Sequence, residues 1–326
     1  MRALAGLGAV LLAALLASAG VARACEDATA PGGLAIWAEA VSLAAPELAG
    51  LEIAGAWALT AESPDFGGFS GLVIRGDGAP RAPAFTAVTD RGYLLEARFT
   101  PANTACPLTA VRLLPLTDEA GRPLTGRARD AEALAIGVDG ALAIAFERRH
   151  RLSRSSAEGA LDTPRSTDAI RTLPDNGGLE ALARLPSGVL LAIGEEPEPA
   201  GFPMFLVALD GEIAPAGHLN LPPPHRVTGA DMGPDGRLWI VRRHFDRRIG
   251  VEILVEALPL AGVPALPDAA AAERRALFGP QSGIDNMEAI MVWQDAAGAV
   301  HVTILSDDNF NTGRQRTLLV DLRLTP

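Results

Sequence analysis

A polar, usually acidic residue, an apolar stretch, a glycine-bearing turn, a second apolar stretch and a closing charged residue follow one another five times along the chain. In the clearest copy Glu132 opens Ala133 to Ile136, Asp139-Gly140 turns, Ala141 to Phe146 returns and Glu147-Arg148 closes. Glu180 opens the next, which turns at Ser187-Gly188, returns through Val189 to Ile193 and closes on Glu195-Glu196. Asp231 opens another, with Asp235-Gly236 as the turn, Leu238 to Val241 as the return and Arg242-Arg243 at the close. In the last, Glu288 opens, Gly298 lies in the turn, Val300 to Leu305 returns and Asp307-Asp308 closes. The first copy is looser: it starts at Phe69-Ser70-Gly71-Leu72, bends at Gly76-Asp77-Gly78, returns through Phe85 to Thr89 and ends on Asp90-Arg91.

Asp-Gly between two apolar runs favours a tight β-turn, because its backbone needs positive φ where few residues tolerate it. Each unit is therefore predicted to be a β-hairpin. Gly71, Ala133, Ala181, Ala230 and Ala289 mark equivalent positions, 62, 48, 49 and 59 residues apart. Repeats of about 40–50 residues with several short strands each predict the blades of a β-propeller. The expected fold is thus all-β, a single propeller of five or six blades. Leu51 to Thr60 is expected to complete the last blade beside Val300 to Leu305 and Thr317 to Leu324, pairing an N-terminal strand with the C-terminal blade and removing exposed sheet edges. Leu34 to Leu43 is the only candidate contribution to a sixth blade.

Glycine and proline, 34 and 25 residues, are spread between the strands, so no linker divides the chain. Pro222-Pro223-Pro224 is expected to stiffen a loop before the fourth hairpin. Arg151 to Arg171 is predicted to be a long crossover loop, and Asp268 to Leu277 a short helix outside the blades, with Asp268 as its cap. Trp37, Trp57, Trp239 and Trp293 are expected in the core.

Residues 1–24 have the form of a secretion signal: Arg2, an apolar run from Ala3 to Val21, then Ala22-Arg23-Ala24 for cleavage. The propeller domain would then be residues 25–326, in the periplasm or secreted. Loss of Arg2 and Arg23 takes the formal charge from −11 to −13. That acidity argues against nucleic-acid and anionic-membrane partners and suits cations. No later segment is long and apolar enough to span a bilayer. Every one of the 28 basic residues is arginine, which excludes lysine Schiff-base and P-loop lysine chemistry. Cys25 and Cys106, the only cysteines, are expected to form a disulfide tying the mature N-terminus to the first blade. A lipid anchor on Cys25 is the alternative, although Arg23 departs from the small-residue pattern that such anchors follow.

If the first strand of each hairpin lines a central channel, the residues entering it and leaving its partner lie at one end. Glu132 with Glu147, Glu180 with Glu195, Asp231 with Arg242, Glu288 with Asp307, and Ser70 with Asp90 would then ring one mouth. Asp90, Glu132, Glu147, Glu180, Glu195, Asp231, Glu288 and Asp307 are the candidate metal ligands. So many carboxylates repel unless cations or arginines neutralise them. Hard oxygen donors of this kind suit calcium; the five histidines are too dispersed for a zinc motif. Two readings stay open: cation binding, or salt bridges to Arg91, Arg148, Arg149, Arg242 and Arg243. Likewise Arg91, Arg148 and Arg242 are either donors to a substrate phosphate or carboxylate, or counter-ions of the ring.

The segments Gly67-Gly68-Phe69-Ser70-Gly71-Leu72, Val88-Thr89-Asp90-Arg91-Gly92, Asn176 to Leu182, Asn286-Met287-Glu288-Ala289-Ile290 and Leu305 to Phe310 resemble the phytase-like family, described as having esterase-like activity. The resemblance runs from about Gly67 to the C-terminus. It implies a propeller similar to calcium-dependent phytases, with acidic residues holding calcium that binds substrate phosphates and activates water. Those phytases also use lysine for phosphate, which this chain lacks. A serine nucleophile at Ser70 is disfavoured, because Leu72 stands where the nucleophile elbow needs glycine. The expected activity is hydrolysis of a small-molecule ester, foremost a phosphate ester, by a monomer. The alternatives are a lactonase or carboxylesterase on the same scaffold, or a non-catalytic periplasmic binding propeller.

Overall fold

The computed structural model describes residues 23–25, 33–76, 82–101, 104–208, 211–262 and 264–325. The expected leader lies almost wholly outside these residues, as does the Asp77-Gly78 turn.

Five hairpins become the inner two strands of five antiparallel blades. Blade 1 runs Phe69–Arg75, Ala84–Thr89, Tyr93–Phe99 and Leu108–Pro115, in that order from the axis. Blade 2 has three strands, Ala131–Ile136, Leu142–Phe146 and Arg151–Ser155. Leu179–Arg184, Leu190–Gly194, Phe202–Val207 and Ile213–Leu219 make blade 3. Blade 4 is Arg226–Met232, Leu238–Asp246, Gly250–Leu258 and Glu273–Phe278, edged by Glu47–Leu48. Blade 5 begins with Met287–Gln294, Val300–Ser306 and Thr317–Leu324, and the N-terminal part of the chain completes it.

That completion is the closure expected from sequence: Leu51–Ala61 pairs along the whole of Thr317–Leu324. Ile36–Ala40 adds outside it and Arg23–Cys25 outside that, so the Leu34 to Leu43 stretch widens blade 5 rather than founding a sixth. The Cys25–Cys106 disulfide, with Cα atoms 5.2 Å apart, then fastens this outer edge to the loop before the last strand of blade 1.

The inner strands neighbour one another in a closed ring, 1 to 5 and back to 1. Apolar residues collect in five clusters, one in each gap between blades. Strands such as Leu142–Phe146 are therefore buried on both faces and read as continuous apolar runs. Trp57, Trp239 and Trp293 are buried there as expected, and Trp37 is partly buried.

Two expectations are corrected. Arg151 to Arg171 supplies the third strand of blade 2, with Arg165 bridging back to Leu152 and a single helical turn at Asp168–Arg171. The alanine run after Asp268 makes only a 3₁₀ turn, Ala269–Ala271, capped by the Asp268 carboxylate. Glu273–Phe278 is then a strand on blade 4, burying Ala276 and Phe278 by alternation. Covering a sheet edge outweighs the helix propensity of a few alanines.

Candidate metal centre at the channel mouth

Every inner hairpin carries the same irregularity. The register shifts between Phe69 and Gly71, Ala131 and Ala133, Leu179 and Ala181, Val227 and Gly229, and Met287 and Ala289. A β-bulge thus places one unpaired residue in each inner strand, Ser70, Glu132, Glu180, Thr228 and Glu288. A bulge re-aims its side chain and is characteristic of functional rims. Small residues follow it so that inner strands can close up. A Cβ on Gly71 would fall 2.6 Å from Leu134 and one on Gly229 2.6 Å from the Glu288 carbonyl oxygen. One residue past each bulge partner stand Asp90, Glu147, Glu195, Arg243 and Asp307. These ten positions form one mouth of the channel.

The mouth has two unlike halves. Toward blades 3 to 5, Arg243 donates to Glu288 Oε1 at 2.8 Å and Glu195 Oε1 at 3.1 Å, and also to Asn286 Oδ1. Asn286 Nδ2 donates to the same Glu288 oxygen at 2.9 Å and to Asp307 Oδ2 at 3.4 Å. The Thr228 hydroxyl donates to the Met287 carbonyl at 2.9 Å. Toward blades 1 and 2, Asp130, Glu132 and Glu147 each bring a carboxylate oxygen within 4.8 Å of the others. Arg148 bonds Asp130 and lies 3.9 Å from Glu147. Beside them Asp90 Oδ1 is buried without a hydrogen-bond partner.

Burial, followed by the neighbouring carboxylates, pushes these acids up. Asp90 and Glu147 rise to about 7, each through burial first and then the charge of Asp130. Glu132 lies well above the carboxylate range through burial, then the charges of Glu180 and Glu288. Glu132 is partly exposed as a residue, yet its carboxyl is enclosed by protein, and that enclosure governs its charge. Glu180 is likewise raised by burial, then Glu195 and Glu288. Asp307 follows suit through burial, then Glu288. Glu195 and Glu288 are raised by burial and held back by Arg243. Burial opposes the Arg243 charge too, but Glu288, Glu195 and Glu180 outweigh it and raise its pKa.

The blade 1–2 half fits a hard divalent cation: only oxygen donors converge, one buried oxygen lacks a partner, and among the described residues the arginines beside it are not buried. Next to it a recess of about 450 Å³ is lined by Asp90, Arg91, Arg127, Arg129, Asp130 and Arg148, with Asn309 and Phe310. Arg91 stacks on the Phe310 ring, 3.4 Å from its centroid, and donates to the Pro64 carbonyl at 2.7 Å. Arg148, Asn309 and Phe310 all hold positive φ, at 55°, 48° and 48°, strain of the kind stored at ligand sites.

A family profile described as "Phytase-like: Esterase-like activity of phytase" matches residues 64–310, most of the chain. The chain belongs to the phytase-like family. Among solved structures, this phytase-like protein is similar to a putative gluconolactonase, at 14% identity over 94% of this chain and 99% of that one, with a TM-score of 0.48. It is also similar to a gluconolactonase from Xanthomonas campestris, at 13% identity, 87% and 97% coverage and a TM-score of 0.43. A virginiamycin B lyase from Staphylococcus aureus matches at 9% identity, 89% and 99% coverage and a TM-score of 0.41. These likenesses are too distant to speak to chemistry. No curated protein matches the sequence.

Of the sequence-derived candidates, Asp90, Glu132, Glu147, Glu180, Glu195, Glu288 and Asp307 do gather at this mouth, with Arg91 and Arg148 at its rim. Asp231 and Arg242 do not. Asp231 pairs in register with Trp239, three residues along the strand from the bulge, and lines a cavity among the hairpin turns at the other end. Arg242 is fully buried, donating to Glu256 at 2.9 Å and to the carbonyls of His225 and Pro222. Thr228 and Arg243 occupy the places assigned to them. Counting shows why: Glu132 and Glu180 each stand seven residues before Asp139 and Ser187 of their turns, and seven before Asp235 is Thr228. Asp130 was missed because it precedes the apolar run, although Asp130 and Glu132 flank one residue.

Proposed function

We propose that this phytase-like protein is an exported, calcium-dependent hydrolase of a phosphate ester. The observation that carries the reading is the convergence of Asp130, Glu132 and Glu147 oxygens within 4.8 Å, directly beside an arginine-lined recess. Those three carboxylates would hold the ion, with the Asp90 carboxylate beside them. When bound, calcium polarises ester oxygens and lowers the pKa of an attacking water. Arg91, Arg129 and Arg148 line the recess and present forked donors to an anionic group, taking over what lysine does in related phytases. Glu180 is the carboxyl best placed to accept the water's proton: it adjoins the cluster, and among the described residues no guanidinium bonds it. The disulfide supports export, since such bonds persist in oxidising compartments. The working form is a monomer acting on a small molecule.

The test is hydrolysis of p-nitrophenyl phosphate and of a simple lactone, each with chelator and with calcium restored. Calcium-dependent phosphatase activity is expected. Lactone hydrolysis alone would move the reaction to carboxylic esters, and neither activity in calcium would make the protein a binder.

A further inference from the structure

The opposite end of the channel carries its own chemistry. A cavity of about 650 Å³, the size of small-molecule sites, opens among the hairpin turns of blades 2 to 4 and the inner strand of blade 5. It is some three strand residues, ~10 Å, from the bulges. About half of its wall is apolar, with Leu134, Ile136, Val138, Met232 and Val292 contributing. Val138, 51% exposed, is one of three large apolar side chains that stand open to solvent among the described residues.

Two charges break this wall. Three residues past the bulge the other blades place Val73, Ala135, Ala183 and Met291, whereas blade 4 places Asp231. Four residues past it they place Ile74, Ile136, Met232 and Val292, whereas blade 3 places Arg184. Three blades carry no charge at either level, so the fold does not require them. Both residues line the cavity, on adjacent inner strands. The Asp231 carboxylate is held in place by the Val292 amide, which donates to Oδ2 at 2.8 Å. Burial raises its pKa to about 7, against a lowering by Arg184. Yet the two form no ion pair, and among the described residues Arg184 has no hydrogen-bond partner.

We propose that this cavity is a second binding site, for a small zwitterion with an apolar body such as an α-amino acid. The ammonium group meets Asp231, the carboxylate meets Arg184, and the side chain packs on Leu134, Val138 and Met232. A ligand with a single charge would make only one of the two charged contacts. Nothing in this site depends on metal at the far mouth.

Calorimetric titration of the intact protein with L-leucine, L-methionine and L-phenylalanine tests it, with 4-methylpentanoate and isoamylamine as one-charge analogues of leucine. At least one amino acid is expected to give saturable heat, and each analogue to bind at least ten-fold more weakly. Asp231→Asn and Arg184→Gln should each weaken the amino acid at least ten-fold while calcium binding at the other mouth stays unchanged. Absence of saturable heat from all three amino acids, analogues that bind equally well, or an Arg184→Gln protein that binds like the wild type would overturn the proposal. Arg184 is exposed, so that variant remains decisive even where Asp231→Asn fails to fold.

Discussion

The two halves of the acidic mouth solve one electrostatic problem differently. Toward blades 3 to 5 the crowd of carboxylates is neutralised from within, by a single largely buried guanidinium that reaches both Glu195 and Glu288. Toward blades 1 and 2 an equal crowd meets arginines only at the rim, Arg148, which is 40% exposed and engages Asp130, with Arg91 and Arg129 acting on Asp90. The same bulge builds both halves, and what differs is whether the residue leaving the second strand is Arg243 or an acid. Blade 4 thus neutralises its half by placing Thr228 and Arg243 where blades 2, 3 and 5 place pairs of acids.

The largest expected effect is that of Arg243→Met. It strips a buried pair of its cation and should destabilise the chelated protein by about 3–5 kcal/mol in urea titrations. Added calcium should recover part of the loss; a cost no larger than that of a surface pair would break the contrast between the halves. On the other side, Glu132→Gln should lower kcat/KM by about 10²–10³-fold, as loss of a central electrostatic group does. Glu195→Gln should cost less than a tenth of that.

The open half also sets a pH dependence. Asp90 and Glu147 titrate at about 7 in the folded protein and near ordinary carboxylate values unfolded, so folding binds their protons more tightly. Their stabilisation is complete below about pH 4 and is lost as pH rises through 7. The melting temperature in chelator should therefore fall between pH 5 and pH 8, and calcium should restore it most at pH 8. A flat profile would mean that these acids are neutralised internally after all. The smallest effect is expected at the half-exposed Arg226–Glu196 pair, where Arg226→Gln should change stability by less than about 1 kcal/mol.

The propeller was legible because turn chemistry and doubly buried apolar strands are local signals. Closure by Leu51–Ala61 was also legible, since pairing an apolar N-terminal strand with the C-terminal blade joins the chain ends and removes exposed sheet edges. The site was legible where an acid coincides with a bulge, at Glu132, Glu180 and Glu288. It failed in blade 4 because Asp231 imitates an opening acid, while Thr228, the residue the bulge turns to the mouth, carries no charge to draw notice. Arg243 was displaced by one residue because Arg242, which stands where the other blades have Phe146, Gly194 and Ser306, is itself charged. Asp268 to Leu277 went astray because local helix propensity says nothing of an edge waiting to be covered.

The central claim is that calcium seeks the half whose guanidiniums, Arg148 foremost, stay at the rim. Calorimetric titration of calcium into the wild type, Glu132→Gln and Glu195→Gln tests it most directly. At least a ten-fold loss of affinity in Glu132→Gln with little change in Glu195→Gln is predicted; equal losses in the two variants, or no calcium heat in the wild type, would contradict it.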